Sequence, residues 1–151
     1  MRLVVDRVAD FPPGGRRIVR VDGREIGVFR VGDDFYAVRN RCPHQGGPLC
    51  AGRLVPRVVS GAPGAVAIAP GAPRIACPWH GWQYELDTGS SYASGDPAAR
   101  SYEVTVEAGR AIVQQLEEGE AGPYVAETFE VYVEDDYVVL DASRSRGGAA
   151  F

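Results

Sequence analysis

A chain of 151 residues, with 45% apolar and 24% charged side chains, has room for one globular domain with a single core and a short extension. The net charge of −4 leaves no basic footprint for nucleic acid and suits a soluble protein that could meet a basic partner surface. No run reaches the roughly 18 apolar residues of a membrane span, and acidic residues interrupt the N-terminus where a signal peptide would have its apolar core. The expectation is a cytoplasmic protein with no nucleic-acid or membrane partner.

With 19 Gly and 11 Pro scattered along the chain, short strands and tight turns are expected in place of long helices. Residues 1–39 read as strands. RRIVRV, REIGVFRV and FYAVRN form a three-stranded meander, turning at Asp22-Gly23 and at Gly32-Asp33-Asp34. Residues 41–49 are a loop. Residues 50–76 carry LVPRVV and AVAIA, repeatedly broken by Pro and Gly, and read as an inserted hairpin or ordered loop. CPWHGWQYELDTGSSY opens as a loop, becomes a strand at WQYEL and turns at Asp87-Thr88-Gly89. SYEVTVEAGRAIVQQ reads as a further hairpin, and residues 117–123 as a linker. FEVYVEDDYVVLD reads as a last hairpin turning at Glu134-Asp135-Asp136. Residues 142–151 are small and polar and are expected to form a flexible tail. Helical periodicity is weak throughout, so the expected class is all-β, built of short antiparallel strands.

The chemistry sits in two of the loops. The chain has two histidines, and each follows a cysteine closely: Cys42-Pro43-His44 and, after 32 intervening residues, Cys77-Pro78-Trp79-His80. Thiolate and imidazole together suit iron–sulfur or zinc and do not suit calcium or magnesium. Gly46-Gly47 follows one pair and Gly81 the other. Glycine allows the backbone to come close and to point N–H groups at sulfur. Three cysteines cannot all pair, so a full disulfide framework is excluded, and Cys50 is left as a partly buried free thiol.

CPHQGGPL and CPWHGWQYELDTG resemble the two cluster loops of Rieske iron–sulfur proteins, in the ferredoxin-type branch that serves oxygenases. The resemblance covers about residues 2–115. It implies an antiparallel β-sandwich with a cluster-binding subdomain and one [2Fe–2S] cluster. Cys42 and Cys77 would hold one iron, and His44 and His80 the other. Gln45, Gly46, Gly47, Trp79, Gly81 and Trp82 would wrap the cluster, with Trp79 and Trp82 shielding it. The resemblance divides the chain into a Rieske domain over 1–116, with an insertion at about 51–74, and a C-terminal hairpin extension over 117–141. The high-potential branch carries a disulfide at the positions of Gly47 and Trp79, and a serine donor at the position of Trp82. Tyr84 matches the family's tyrosine, and Pro97, after Gly95-Asp96, matches a proline of a third loop. With these donors missing, a potential low in the Rieske range, about −150 to 0 mV, is implied.

The implied function is one-electron transfer between a reductase and a terminal oxygenase or related oxidoreductase, with those proteins as partners. Both histidines are spent on the cluster, so no two-His-one-carboxylate iron remains, and no catalytic residue is expected. No G-x-G-x-x-G fingerprint appears after a strand. A non-catalytic small subunit, a redox-sensing module and a structural zinc site stay open as alternatives. The zinc reading is the weakest, because zinc fingers usually pair Cys with Cys and His with His along the chain.

Overall fold

The computed structural model describes residues 1–91 and 97–144. Eleven strands and one α-helix follow in order: β1 (Arg2–Arg7), β2 (Arg16–Val21), β3 (Arg24–Val31), β4 (Asp34–Arg39), β5 (Arg53–Val55) and β6 (Val58–Ala62). Then come β7 (Ala65–Ile68), β8 (Arg74–Ala76), β9 (Gln83–Glu85), β10 (Ser101–Ala108), α1 (Gly109–Glu117) and β11 (Asp136–Asp141). All pairings between named strands are antiparallel. Six strands form one sheet in the order β1-β11-β10-β4-β3-β2; β5-β8-β9 form a second, and β6-β7 pair only with each other. No helix among the described residues is long and apolar enough to cross a membrane.

The meander forms as the sequence requires. Asp22 and Gly23 both take positive φ, 50° and 76°, the signature of a two-residue turn whose twist matches its strands. Alternation in β3 and β4 then gives each strand two buried faces. Ile26, Val28, Phe35 and Ala37 face the main core, where they meet Val138 and Leu140 of β11 with Phe11, Val21 and Tyr102. The six-stranded sheet therefore folds over on itself around that core. Phe29, Tyr36 and Val38 face the other way, and under them lies a second core of Cys42, Leu49, Cys50, Ile75, Cys77, Tyr84 and Leu86. The small sheet and both cysteine loops are mounted on this outer face of β3 and β4.

Three expectations fail. SYEVTVEAGRAIVQQ is a strand followed by a helix. The helix, GRAIVQQLE, is rich in the helix formers Ala, Arg, Gln, Leu and Glu, and Ile112 anchors it by packing with Tyr137 and Val139. Gly119, at φ 72°, ends it. The last hairpin is a single strand, β11. Both edges of β11 are already paired, with β1 and β10, so residues 129–133 have no edge to join. Phe129 and Val131 instead cover Tyr137 and Val139 as a side-chain layer, and the Tyr132 N–H donates to Tyr137 Oη. Fraying does not begin at residue 142, because Ala142 is buried and its N–H donates to Met1 O. Residues 145–151 of the expected tail, and Gly95-Asp96 of the third loop, lie outside the described residues.

Candidate metal centre

The two cysteine loops share one backbone design. In the first, Cys42 N–H donates to Gly47 O at 2.8 Å and Gly46 N–H to Cys42 O at 2.7 Å. In the second, Cys77 N–H donates to Trp82 O and Gly81 N–H to Cys77 O, both at 2.8 Å. Each is a Cys-Pro-x-x-Gly turn whose fifth residue takes a left-handed φ, 77° at Gly46 and 74° at Gly81. The repeated Cys-Pro-x-x-Gly was a legible sign that the loops fold alike. Gly46 and Gly81 spend their N–H groups on the preceding cysteine carbonyls, so they shape the turns and do not serve as donors to sulfur.

The loops interlock. Trp82, sixth in its turn, stacks on His44, third in the other, with ring centroids 3.9 Å apart and planes 12° apart. Trp79, third in its turn, lies over Gly47, sixth in the other, where an added Cβ would meet the indole at 2.9 Å and Cys77 Sγ at 3.0 Å. The two positions that a disulfide joins in the high-potential branch are thus in contact here through an indole on a glycine. Trp82 is half-buried and screens His44, whereas Trp79 is 55% exposed. Gln45 is exposed at the rim.

The four candidate ligands stand as two pairs. Cys42 and Cys77 are buried side by side, at 2% and 3% exposure. Burial pushes the Cys77 thiol up, and the neighbouring Cys42 adds to this, while the N–H groups of Trp79 and His80 pull against it. Tyr84 Oη lies 3.3 Å from Cys42 Sγ. The imidazoles of His44 and His80 meet edge to face, centroids 5.1 Å apart, and His80 is exposed. His44 Nδ1 is buried and has no hydrogen-bond partner, as a nitrogen reserved for a metal would be. Among the described residues no three His, Cys, Asp or Glu side chains converge on one ion. Two thiols at the buried end and two imidazoles at the outer end suit a two-iron group, whereas one zinc ion needs four donors within about 2.0–2.3 Å of a single point.

A family model, the Rieske [2Fe-2S] domain, matches residues 1–108. The chain belongs to the Rieske [2Fe–2S] domain family. Its cofactor is accordingly a Rieske-type [2Fe–2S] cluster. This Rieske chain is 32% identical over 93 residues to the ferredoxin CarAc of Metapseudomonas resinovorans, spanning 61% of this chain and 72% of that protein. Among solved structures it resembles the ferredoxin of carbazole 1,9a-dioxygenase from Nocardioides aromaticivorans IC177, with a TM-score of 0.52 and 29% identity, covering 71% of this chain and 90% of that one. It also resembles a chain in a complex of reduced oxygenase and oxidized ferredoxin of carbazole 1,9a-dioxygenase, with a TM-score of 0.52 and 26% identity over 91% of each.

Two further residues have clear places in the Rieske domain. Cys50 points away from the ligand pairs, onto Gly27 of β3, where even a Cβ would come within 2.4 Å of its sulfur; its thiol donates to Val38 O at 3.4 Å. It fills the core left open by a glycine. Pro97 shares a groove with Pro43, Ala98, Arg39, Arg41 and Arg100, beside the first cysteine loop.

Proposed function

We propose that this Rieske protein is a one-electron carrier, passing electrons from a reductase to a terminal oxygenase or related oxidoreductase in the cytoplasm. The observation that carries the reading is the polarity of the centre. Both thiols are sealed in the core, while His80 and its neighbour Trp79 stand at the surface, where another protein can approach within electron-transfer distance. In this reading Cys42 and Cys77 hold the inner iron, and His44 and His80 the outer one. When bound, the cluster supplies one reversible electron at a potential of about −150 to +300 mV.

The surrounding residues position and insulate. Trp82 fixes the His44 ring by stacking and screens it from water. Trp79 and His80 direct main-chain N–H groups at Cys77, and Tyr84 directs its hydroxyl at Cys42. All of these favour negative charge on sulfur. The relatives support the carrier role: CarAc is a ferredoxin, and a ferredoxin of a dioxygenase system is a structural neighbour, as is a chain from an oxygenase–ferredoxin complex. Both histidines of the chain lie in the cysteine loops, which leaves none for a second, catalytic iron. The cytoplasmic location is supported by the odd number of cysteines, all free in the structure.

The test is a reductive titration of the purified holoprotein. The carrier reading expects uptake of one electron per chain, an EPR signal appearing only on reduction, and reoxidation by an oxygenase component. A colourless protein containing zinc, or reduction without onward transfer to any oxidoreductase, would sink it.

A further inference from the structure

The chain is acidic as a whole, yet its charges are sharply sorted along the sequence. Residues 35–84, which contain both cysteine loops, hold five arginines and not one carboxylate side chain. Residues 111–143 hold nine carboxylates and no arginine. There is no lysine anywhere, so every basic side chain is an arginine, the residue suited to two-pronged recognition of carboxylates.

The structure places three of these five arginines beside the cysteine loops. Arg39 and Arg41 line the groove beside Pro43 and Pro97, and Arg41 also reaches Gly46 of the first turn. Arg53 lines the depression beside Cys77, Pro78 and Gly81 of the second turn. Each cysteine loop is thus flanked by arginine. Two others of the five, Arg57 and Arg74, are answered by Glu85. Arg39, Arg41 and Arg53 make no ion pair among the described residues. Among the described residues one carboxylate lies in the depression shared by Arg39 and Arg41: Glu25, which is paired with Arg20 and accepts from Asn40. The helix and the segment that follow β10 carry seven of the nine, and they pack on Tyr137 and Val139 of β11, in a core cluster separate from the one that holds the cysteines.

We infer that the docking surface of this protein is a positively charged collar of Arg39, Arg41 and Arg53 around the His80 edge, built for a redox partner that presents carboxylates. The inference rests on the carrier reading and names the chemistry of the partner in it. It reverses the expectation from net charge, which pointed to a basic partner. Steering depends on the local field at the approach path, and within a Debye length of about 8–10 Å the collar outweighs more distant carboxylates. The acidic pole then orients the molecule, because a carboxylate-rich partner is repelled from that end.

Small oxidants of opposite charge test this on the intact holoprotein. The dithionite-reduced protein gives up one electron to hexacyanoferrate(III), which becomes hexacyanoferrate(II), or to tris(phenanthroline)cobalt(III), which becomes the cobalt(II) complex. With the anionic oxidant the bimolecular rate should fall about three- to tenfold as ionic strength rises from about 10 to about 200 mM. An acidic protein reacting through its average charge would show a rate that rises instead, and that result would overturn the inference. Arg41→Gln alone, and Arg39→Gln/Arg41→Gln/Arg53→Gln together, should lower the anionic-to-cationic rate ratio at low salt. The ratio cancels any change in driving force common to both oxidants. Glu117→Gln/Glu118→Gln at the acidic pole should leave the ratio within about twofold. An unchanged ratio in the arginine variants also overturns the collar. If the protein exchanges one electron with both oxidants but the salt dependence has the wrong sign, the carrier reading stands and the collar alone falls. If it accepts no electron, both fall.

Discussion

The first and second cysteine loops are one backbone carrying two different sets of side chains. Both are Cys-Pro-x-x-Gly turns closed by the same pair of hydrogen bonds, and both use a left-handed glycine. In the first the histidine is third, half-buried under Trp82; in the second it is fourth and exposed, with an indole in the third place. One shift of a single position thus sets apart an inner, screened imidazole from an outer one. It also lets the third residue of each loop pack on the sixth of the other. The lesson is that asymmetry in this centre comes from side-chain register on a common frame, and the collar of arginines lies around the loop that opens outward as well as the one that does not.

The comparison is broken most severely by removing a proposed ligand. His44→Ala and His80→Ala should each abolish the Rieske-type visible and EPR spectra, because neither loop holds a spare donor. Cys50→Ser should keep both spectra. Retention of an unaltered spectrum in either histidine variant would refute the ligand assignment. The next largest effects concern the frame. Gly46→Ala and Gly81→Ala each force a side chain into left-handed φ, which costs about 1–2 kcal/mol. Because the turns match, the two costs should agree within about 0.5 kcal/mol in denaturant unfolding of the holoprotein. Gly47→Ala has no φ penalty but drives a methyl against Cys77 Sγ and the Trp79 ring. Overpacking of that kind costs about 1–3 kcal/mol, and cluster loading should fall with it. Equal stability of Gly47→Ala and the parent would show that the loops do not interlock.

Much of this was open to the sequence. The four candidate ligand positions stood out because the chain has just two histidines, each close after a cysteine, and the meander followed from Asp22-Gly23 and strict alternation. What failed had non-local causes. Residues 129–133 alternate like a strand, yet β11 had no free edge left for them, and strand order is not written in any local pattern. Residues 109–117 follow a strong strand, and the burial of Ile112 against Tyr137 and Val139 decides for a helix. The stacking of Trp82 on His44 joins residues 38 positions apart, which spacing alone does not specify. The charge sorting, by contrast, was legible in the sequence, and net charge concealed it.

A smaller effect sharpens the difference between the two sulfurs. Cys77 is approached by main-chain N–H groups, while Cys42 is approached by the Tyr84 hydroxyl. A donor to sulfur favours the reduced, more negative cluster. Removing it with Tyr84→Phe should lower the midpoint potential; a loss of about 1 kcal/mol corresponds to roughly 40 mV for one electron. Protein-film voltammetry reads this directly. A potential that rises or stays level would show that the hydroxyl does not donate to Cys42.

The smallest effect concerns the third cysteine, which closes the first loop and has no counterpart in the second. Burial pushes the Cys50 thiol up to about 12, from an ordinary value of 9.0. The folded state therefore holds this proton more tightly than the unfolded chain does. The resulting stability is fully present below pH 9 and is lost progressively as pH rises towards about 12. Cys50→Ser removes the titrating group and keeps a hydroxyl that can donate to Val38 O in place of the thiol. The parent should then lose stability more steeply than the variant between about pH 9 and 11 in chemical denaturation. In the same range the folded parent should resist iodoacetamide at Cys50 until it is unfolded. Alkylation of Cys50 in the native holoprotein at pH 8, or parallel stability curves for the two proteins, would place the thiol outside the core and end its contrast with Cys42 and Cys77.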